Sequence, residues 1–167
     1  MNRLEIITEQ EQRLQFEKFS YEEAWELGKS MVEKAKRKGV AMNLSIALCN
    51  DFVLFQYASA GTSKLNQIWL EMKYNTVKVF GRSTLGSTLE ARVIGQDLKD
   101  HGLEKDCRLC AGGFPIRLKD GCMIGIISAS GIPGIGDHNF IVECLSDYLG
   151  VTDLPVLEDF NPFDAAI

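Results

Sequence analysis

The spacing of apolar positions changes period several times along the chain, and each change marks an element. Ala24, Leu27, Gly28, Met31, Val32 and Ala35 recur every three or four residues, the stripe of an amphipathic helix. Ser20 followed by Glu23 is a capping box and Gly39 a stop, so this helix is predicted to run to about Lys38. Thr8 with Glu11 predicts a shorter helix over about 9–18 ahead of it. From Met42 the period falls to two: Met42, Leu44, Ile46 and Leu48 alternate with Asn43, Ser45, Ala47 and Cys49, as in a strand. Asn50-Asp51 predicts a tight turn, and Phe52 to Ala58 a returning strand. A helix over 64–80 follows the break at Gly61-Thr62-Ser63. Its stripe of Leu65, Ile68, Trp69, Met72, Thr76, Val79 and Phe80 is expected to face the core.

The second half repeats the scheme. Ser87 with Glu90 predicts a helix to about Asp100, ending near Gly102. Leu109 to Leu118 reads as a strand that Pro115 confines to an edge or a bulge, and Asp120-Gly121 is a strong hairpin turn. Met123 to Ser128 is apolar on both faces, so it is expected in the middle of the sheet and covered by helices. Asp137 is expected to cap a last helix bearing Phe140, Ile141, Cys144, Leu145 and Tyr148 on one face and closing at Gly150. Two hairpins interleaved with helices, without βαβ alternation, predict an α+β fold: one antiparallel sheet with helices packed on it. A single domain over 1–150, with residues 1–19 as a helical extension and 151–167 as an acidic tail, is the expected organisation.

Composition narrows the function classes. An apolar share of 46% and a charged share of 25% over 167 residues are those of a globular domain with a proper core. A net charge of −5 without a basic stripe argues against a nucleic-acid partner. Lys34, Lys36, Arg37 and Lys38 cluster where a helix ends, the position its dipole favours, and read as a solvated helix end. No window reaches the ~18 consecutive apolar residues of a membrane helix, and nothing at the N-terminus resembles a signal peptide. Five scattered cysteines are an odd number and look like reduced thiols, which places the protein in the cytoplasm.

Candidate chemistry is sparse. Cys107 and Cys110 form a C-x-x-C, but zinc needs a second ligand pair and a redox dithiol needs a helix N-terminus, whereas this one precedes a strand. The loop Gly131 to Gly136 leads into a helix start, where free amides can hold an anion; the plainer reading is a connection that needs glycine dihedrals, and Asp137 would repel a phosphate. His138, in the first helical turn, is held neutral there: either a local hydrogen-bonding group or a ligand for a metal or haem iron. Gly112-Gly113 lets a backbone or a flat ligand approach closely. Trp69 reads as core. Lys73 and Arg82 read as solvated or surface-paired, with the alternative of supplying cations to an acidic ligand. No Ser-His-Asp, paired-carboxylate or metal-ligand constellation can be assembled, so catalytic residues stay unknown and no metal is expected.

With Gly61-Thr62-Ser63, Trp69, Lys73, Phe80-Gly81-Arg82-Ser83, Gly112-Gly113-Phe114-Pro115-Ile116, Ser130-Gly131 and Asp137-His138 taken together, the chain resembles the uncharacterised heme-degrading-domain proteins. These are similar to the GlcG, haem-binding HbpS and PduO C-terminal domains, and the likeness spans about residues 10–150. The resemblance implies a profilin-like fold, homo-oligomers, and a small-ligand-binding role with haem binding or degradation attached to some relatives. It carries over the glycine pair and Asp137-His138 as a candidate pocket. Relatives often have a histidine immediately before the glycine pair, where this chain has Cys110-Ala111, leaving Cys110 or His138 as haem ligands. The expected pocket lies between 110–116, with Phe114, and 131–138, beside the helix carrying Trp69 and Lys73. The competing expectation is a non-catalytic assembly or adaptor protein that uses sheet edges and the tail as contacts.

Overall fold

The protein, described over residues 1–164 by a computed structural model, carries one four-stranded antiparallel sheet with helices on both faces. In chain order the elements are α1 (Arg3–Arg13), α2 (Tyr21–Lys38), β1 (Asn43–Leu48), β2 (Val53–Ala58), α3 (Lys64–Phe80) and α4 (Thr84–Ile94). A 3-10 turn (Leu98–His101), β3 (Gly113–Arg117), β4 (Met123–Ser130) and α5 (Gly136–Leu149) complete them. The strand order is β2-β1-β4-β3, so β4 is central and β3, with Pro115, is an edge, as its sequence predicts.

Register decides which side chains share a face. Leu44 opposite Ala129, Ile46 opposite Ile127 and Phe114 opposite Ile127 form one apolar face, packed against α2 and α5. The other face pairs Asn43 with Ser130, Ser45 with Ser128, and Gly113 with Ser128, small and polar positions on which α3 lies. A helix resting on small residues comes close to the sheet backbone. A Cβ on Gly113 would stand 2.6 Å from the Thr84 methyl and 2.8 Å from Val77, so this position has no room for a side chain.

α2 forms as predicted, with Glu23 accepting from the Ser20 backbone N–H at 2.7 Å and Gly39 left-handed at φ 67°. Five other expectations are corrected. α1 starts at Arg3, because Asn2 and Glu5 form the reciprocal cap (2.9 and 2.8 Å), while the Thr8 hydroxyl donates to Leu4 O inside the helix. α4 starts at Thr84, capped by Ser83 Oγ accepting from Gly86 N; Ser87 donates back to Ser83 O and caps nothing. It ends at left-handed Gly95 rather than near Gly102. α5 has Ile135 at its cap position, with Asp137 in the first turn. Lys34 is buried rather than solvated, and pairs with Glu143 (3.1 Å) and Asp147 to tie α2 to α5.

The fifth correction is the face of α3. Its buried residues are Leu70, Lys73, Thr76 and Val77, whereas Leu65 and Val79 of the predicted stripe are 55% and 53% exposed and Ile68 is exposed too. The partner surface is a small, partly polar sheet face; Lys73 donates to Ala129 O of β4 and Thr76 bonds to the Arg108 backbone in the loop before β3, so the apolar stripe is not the side that packs. The tail folds back on the domain as far as residue 164: Gln10 Nε2 donates to Pro155 O (2.8 Å), Asn139 Nδ2 donates to Leu157 O (3.1 Å), and Leu157 is buried beside Ile7, Leu85 and Leu89. The last three residues of the expected tail lie outside the described residues.

Candidate functional site

The chain from 108 to 138 crosses the sheet and returns, and its two ends meet at the N-terminus of α5. Gly112 makes the turn into β3 at φ 106°; a Cβ there would come within 2.5 Å of Ala129 O, 2.7 Å of the Asp137 side chain and 2.8 Å of Lys73 Nζ. This crowding marks an ion pair under the loop. Lys73 Nζ, fully enclosed, donates to Asp137 Oδ2 (2.9 Å) and to Ala129 O (2.6 Å). Asp137 Oδ1 accepts from the backbone N–H groups of Gly131 (3.0 Å) and Ile132 (2.7 Å). The glycine loop is thus an anion nest already filled by the protein's own carboxylate. Burial pushes the Asp137 carboxyl above its ordinary range, against the pull of Lys73 and the two amides.

Above this pair opens a cleft of about 430 Å³. Its floor is Lys73, Asp137 and Ala111. Its walls are Trp69 with Arg108, Cys110, and Ile132 to Gly134, and residues 159–163 of the tail form the remaining side. The Arg108 guanidinium sits over the Trp69 ring, 5.1 Å from its centre. Burial pushes the Cys110 thiol upward, with Lys73 and Arg108 opposing, so it is held as a thiol. The Cys107 thiol is also pushed up by burial, which removes the low-pKa character a redox dithiol needs. A second groove of about 510 Å³, between α3 and strands β1 and β2, is lined by Ser45, Gln56, Tyr74 and Lys78 and contains none of the residues singled out by sequence.

The predicted residues divide into two groups. Trp69, Lys73, Cys110 and Asp137 come together at the cleft. Trp69 is half-buried on its wall rather than in the core, and Lys73 is buried and paired rather than solvated. Gly112 and Gly113 lie behind the wall, packed on Ala129 O and on α3 and α4. Phe114 is fully buried in the main core, with the His138 ring 5.8 Å from its own. His138 is fully buried outside the lining, its Nε2 2.9 Å from Gln10 Oε1. Because the Gln10 amide nitrogen donates to Pro155 O, its oxygen accepts, so Nε2 carries the proton and Nδ1 is left without a partner. Burial lowers its pKa to about 3. Arg82 lies away from the cleft, its guanidinium 3.3 Å from Glu90 and 3.9 Å from Glu11.

Sequence reasoning missed Arg108 and the tail. Arg108 sits in the C-x-x-C that drew attention to its cysteines, and the Asn161-Pro162-Phe163 turn gives no local sign of what it packs against. Among the described residues, no group of three or more His, Cys, Asp or Glu side chains is placed to hold a metal ion, and no helix is long and apolar enough to cross a membrane.

A four-stranded antiparallel sheet, covered by helices on both faces and carrying a cleft at the start of its last helix, defines a profilin-like α+β protein. The chain belongs to the family described as "Haem degrading protein HbpS-like", whose model matches residues 19–146. A UPF0303 protein of Yersinia pseudotuberculosis serotype O:3 is 34% identical over 159 residues, 93% of this chain and 92% of the relative. One of Yersinia enterocolitica is 34% identical over 140 residues, 83% of each chain. Among solved structures, the Ybr137w protein matches at a TM-score of 0.81 with 21% identity, covering 89% of each chain. A PduOC:Heme complex matches at 0.62 with 16% identity, covering 82% of this chain and 96% of that one.

Proposed function

We propose that the cleft over the Lys73–Asp137 pair binds a small, flat, partly apolar ligand bearing acidic groups, and that haem is the first such ligand to test. The supporting observation is the lining: Trp69, Ile132, Pro133 and Phe160 offer apolar surface, while Arg108 is a cation at the rim. Family membership points the same way, as does the fold shared with the PduOC:Heme complex.

The residues fit such a group in part. Apolar walls and a guanidinium suit a porphyrin-like plane and its carboxylates. His138 does not fit as a ligand for such a group, because that ring is sealed in the core and held by Gln10. Cys110 is the cleft residue that would offer a ligand atom, from a thiol that burial keeps protonated. Lys73 would act mainly through Asp137, fixing the loop whose Ile132 and Pro133 form one wall.

Titration with hemin, followed by the Soret band, is expected to saturate. Arg108→Ala is expected to weaken binding by about tenfold, the loss of a contact with an ionised group. Cys110→Ala is expected to change the band position, and His138→Gln to leave it unchanged. A titration without a saturable Soret shift would remove haem from this reading.

A further inference from the structure

The tail is held in two different ways. Up to Phe160 it is anchored: Pro155 O accepts from Gln10 and Leu157 O from Asn139, Leu157 is buried, and the Arg3 guanidinium lies 3.9 Å from the centre of the Phe160 ring. Beyond Phe160 the chain forms a turn closed on itself, with Phe163 N donating to Asn161 Oδ1 (3.0 Å) and Asp164 N to Asn161 O (3.0 Å). Among the described residues, the polar hold of this turn on the domain is one side chain. Arg92, in the last turn of α4, donates from its two terminal nitrogens to Pro162 O and Asp164 O.

The turn stands on the divide between two recesses. On one side is the cleft over Lys73. On the other is a groove of about 510 Å³ lined by Thr88, Arg92, Leu98 and Cys107, and both Arg108 and Phe163 border the two. Lifting the turn joins them into one trough with Arg108 and Arg92 along it. Two carbonyl oxygens on one guanidinium copy what a carboxylate presents to the same planar fork, but without its charge. A carboxylate makes the stronger, charge-assisted pair.

We propose that the 161–164 turn is a self-inhibitory strap: its carbonyls occupy Arg92 in place of a second acidic group on the cleft's ligand, and that group displaces the turn when the ligand binds. This rests on the reading of the cleft as a site for an acidic, partly apolar ligand. It adds that the ligand carries two acidic groups, one for Arg108 and one for Arg92. Asp97 and Glu104 also line the groove, so a free small anion gains little at Arg92. An acid carried on a body already seated in the cleft arrives there at high effective concentration. Until it does, the closed turn lowers the apparent affinity by the fraction of molecules that are open.

Alkylation of Cys110 by N-ethylmaleimide, read by peptide mass spectrometry without any ligand, reports whether the turn covers the cleft. Pro162→Lys puts a cation at a buried position beside Arg92 and releases the turn in the full chain, and a stop after Phe160 removes it. Both are expected to raise the Cys110 rate about fivefold or more, with circular dichroism unchanged. Both are also expected to bind hemin with a dissociation constant about tenfold below that of the wild type. That gain is expected to vanish with hemin dimethyl ester, and on adding Arg92→Ala. Unchanged Cys110 rates in both variants, equal hemin dissociation constants for all three proteins, or a gain that survives esterification or Arg92→Ala would each overturn the proposal. Faster Cys110 alkylation with hemin bound by none of the proteins would remove haem from the reading of the cleft and support the strap.

Discussion

Lys73 carries more of the site's architecture than its place on a helix surface would indicate. It is enclosed by β4, the 112 turn and α5, and its ammonium is satisfied by Asp137 and Ala129 O. Removing one member of a buried pair leaves an uncompensated charge, which costs more than the pair contributes. Lys73→Met is therefore expected to destabilise the protein by roughly 3–5 kcal/mol in urea unfolding, with Asp137→Asn in the double variant recovering a large part. An equal loss in the single and double variants would contradict the pairing. The sequence shows a lysine one turn from Trp69 and an aspartate after a glycine loop; their meeting depends on a long-range crossing of α3 over β4.

At the scale of elements, α3 is the informative case. Its apolar periodicity predicts the helix and both its ends, yet points to the wrong face. The sheet beneath is built of Asn43, Ser45, Ser128 and Ser130, so the face that packs offers Leu70 and Val77 with two hydrogen-bonding residues. Leu70→Ala is expected to cost about 2–4 kcal/mol and Leu65→Ala less than about 0.5 kcal/mol, both read from denaturant midpoints. The reverse order would restore the stripe to the core. Capping was legible at Ser20-Glu23. At α1 it was not: Asn2 and Glu5 form the cap, and Thr8 bonds back to Leu4 O inside the helix.

On the scale of the whole molecule, His138 joins three regions remote in sequence: α5 through its backbone, α1 through Gln10, and the tail through Gln10 and Pro155. Its pKa is lowered from 6.5 to about 3 by burial, so below 6.5 the unfolded chain binds a proton that the folded one refuses. Stability from this group is complete above pH 6.5 and is lost as pH falls toward 3, at roughly 1.4 kcal/mol per pH unit. Thermal melts of wild type and His138→Gln between neutral and acidic pH check this. The wild type should lose more stability on acidification, and parallel curves would contradict it. Asp137, whose carboxyl is raised, acts in the opposite sense from pH 3.8 upward, so the difference between the two proteins is the quantity to read.

Local periodicity, turn chemistry and capping determined the number, type and order of the main elements, and with them the antiparallel sheet and the place of Pro115 in an edge strand. These signals act within a few residues, where propensity and hydrogen bonding are decided. Only the tertiary structure decided which face of α3 is buried, that Asp137 fills the glycine nest, that His138 is sealed away, and that Arg108 and the tail wall the cleft above Lys73. The nest closes over five and six residues; the others are contacts across tens of residues, set by how layers pack and what charge must be compensated, and no spacing along the chain encodes them.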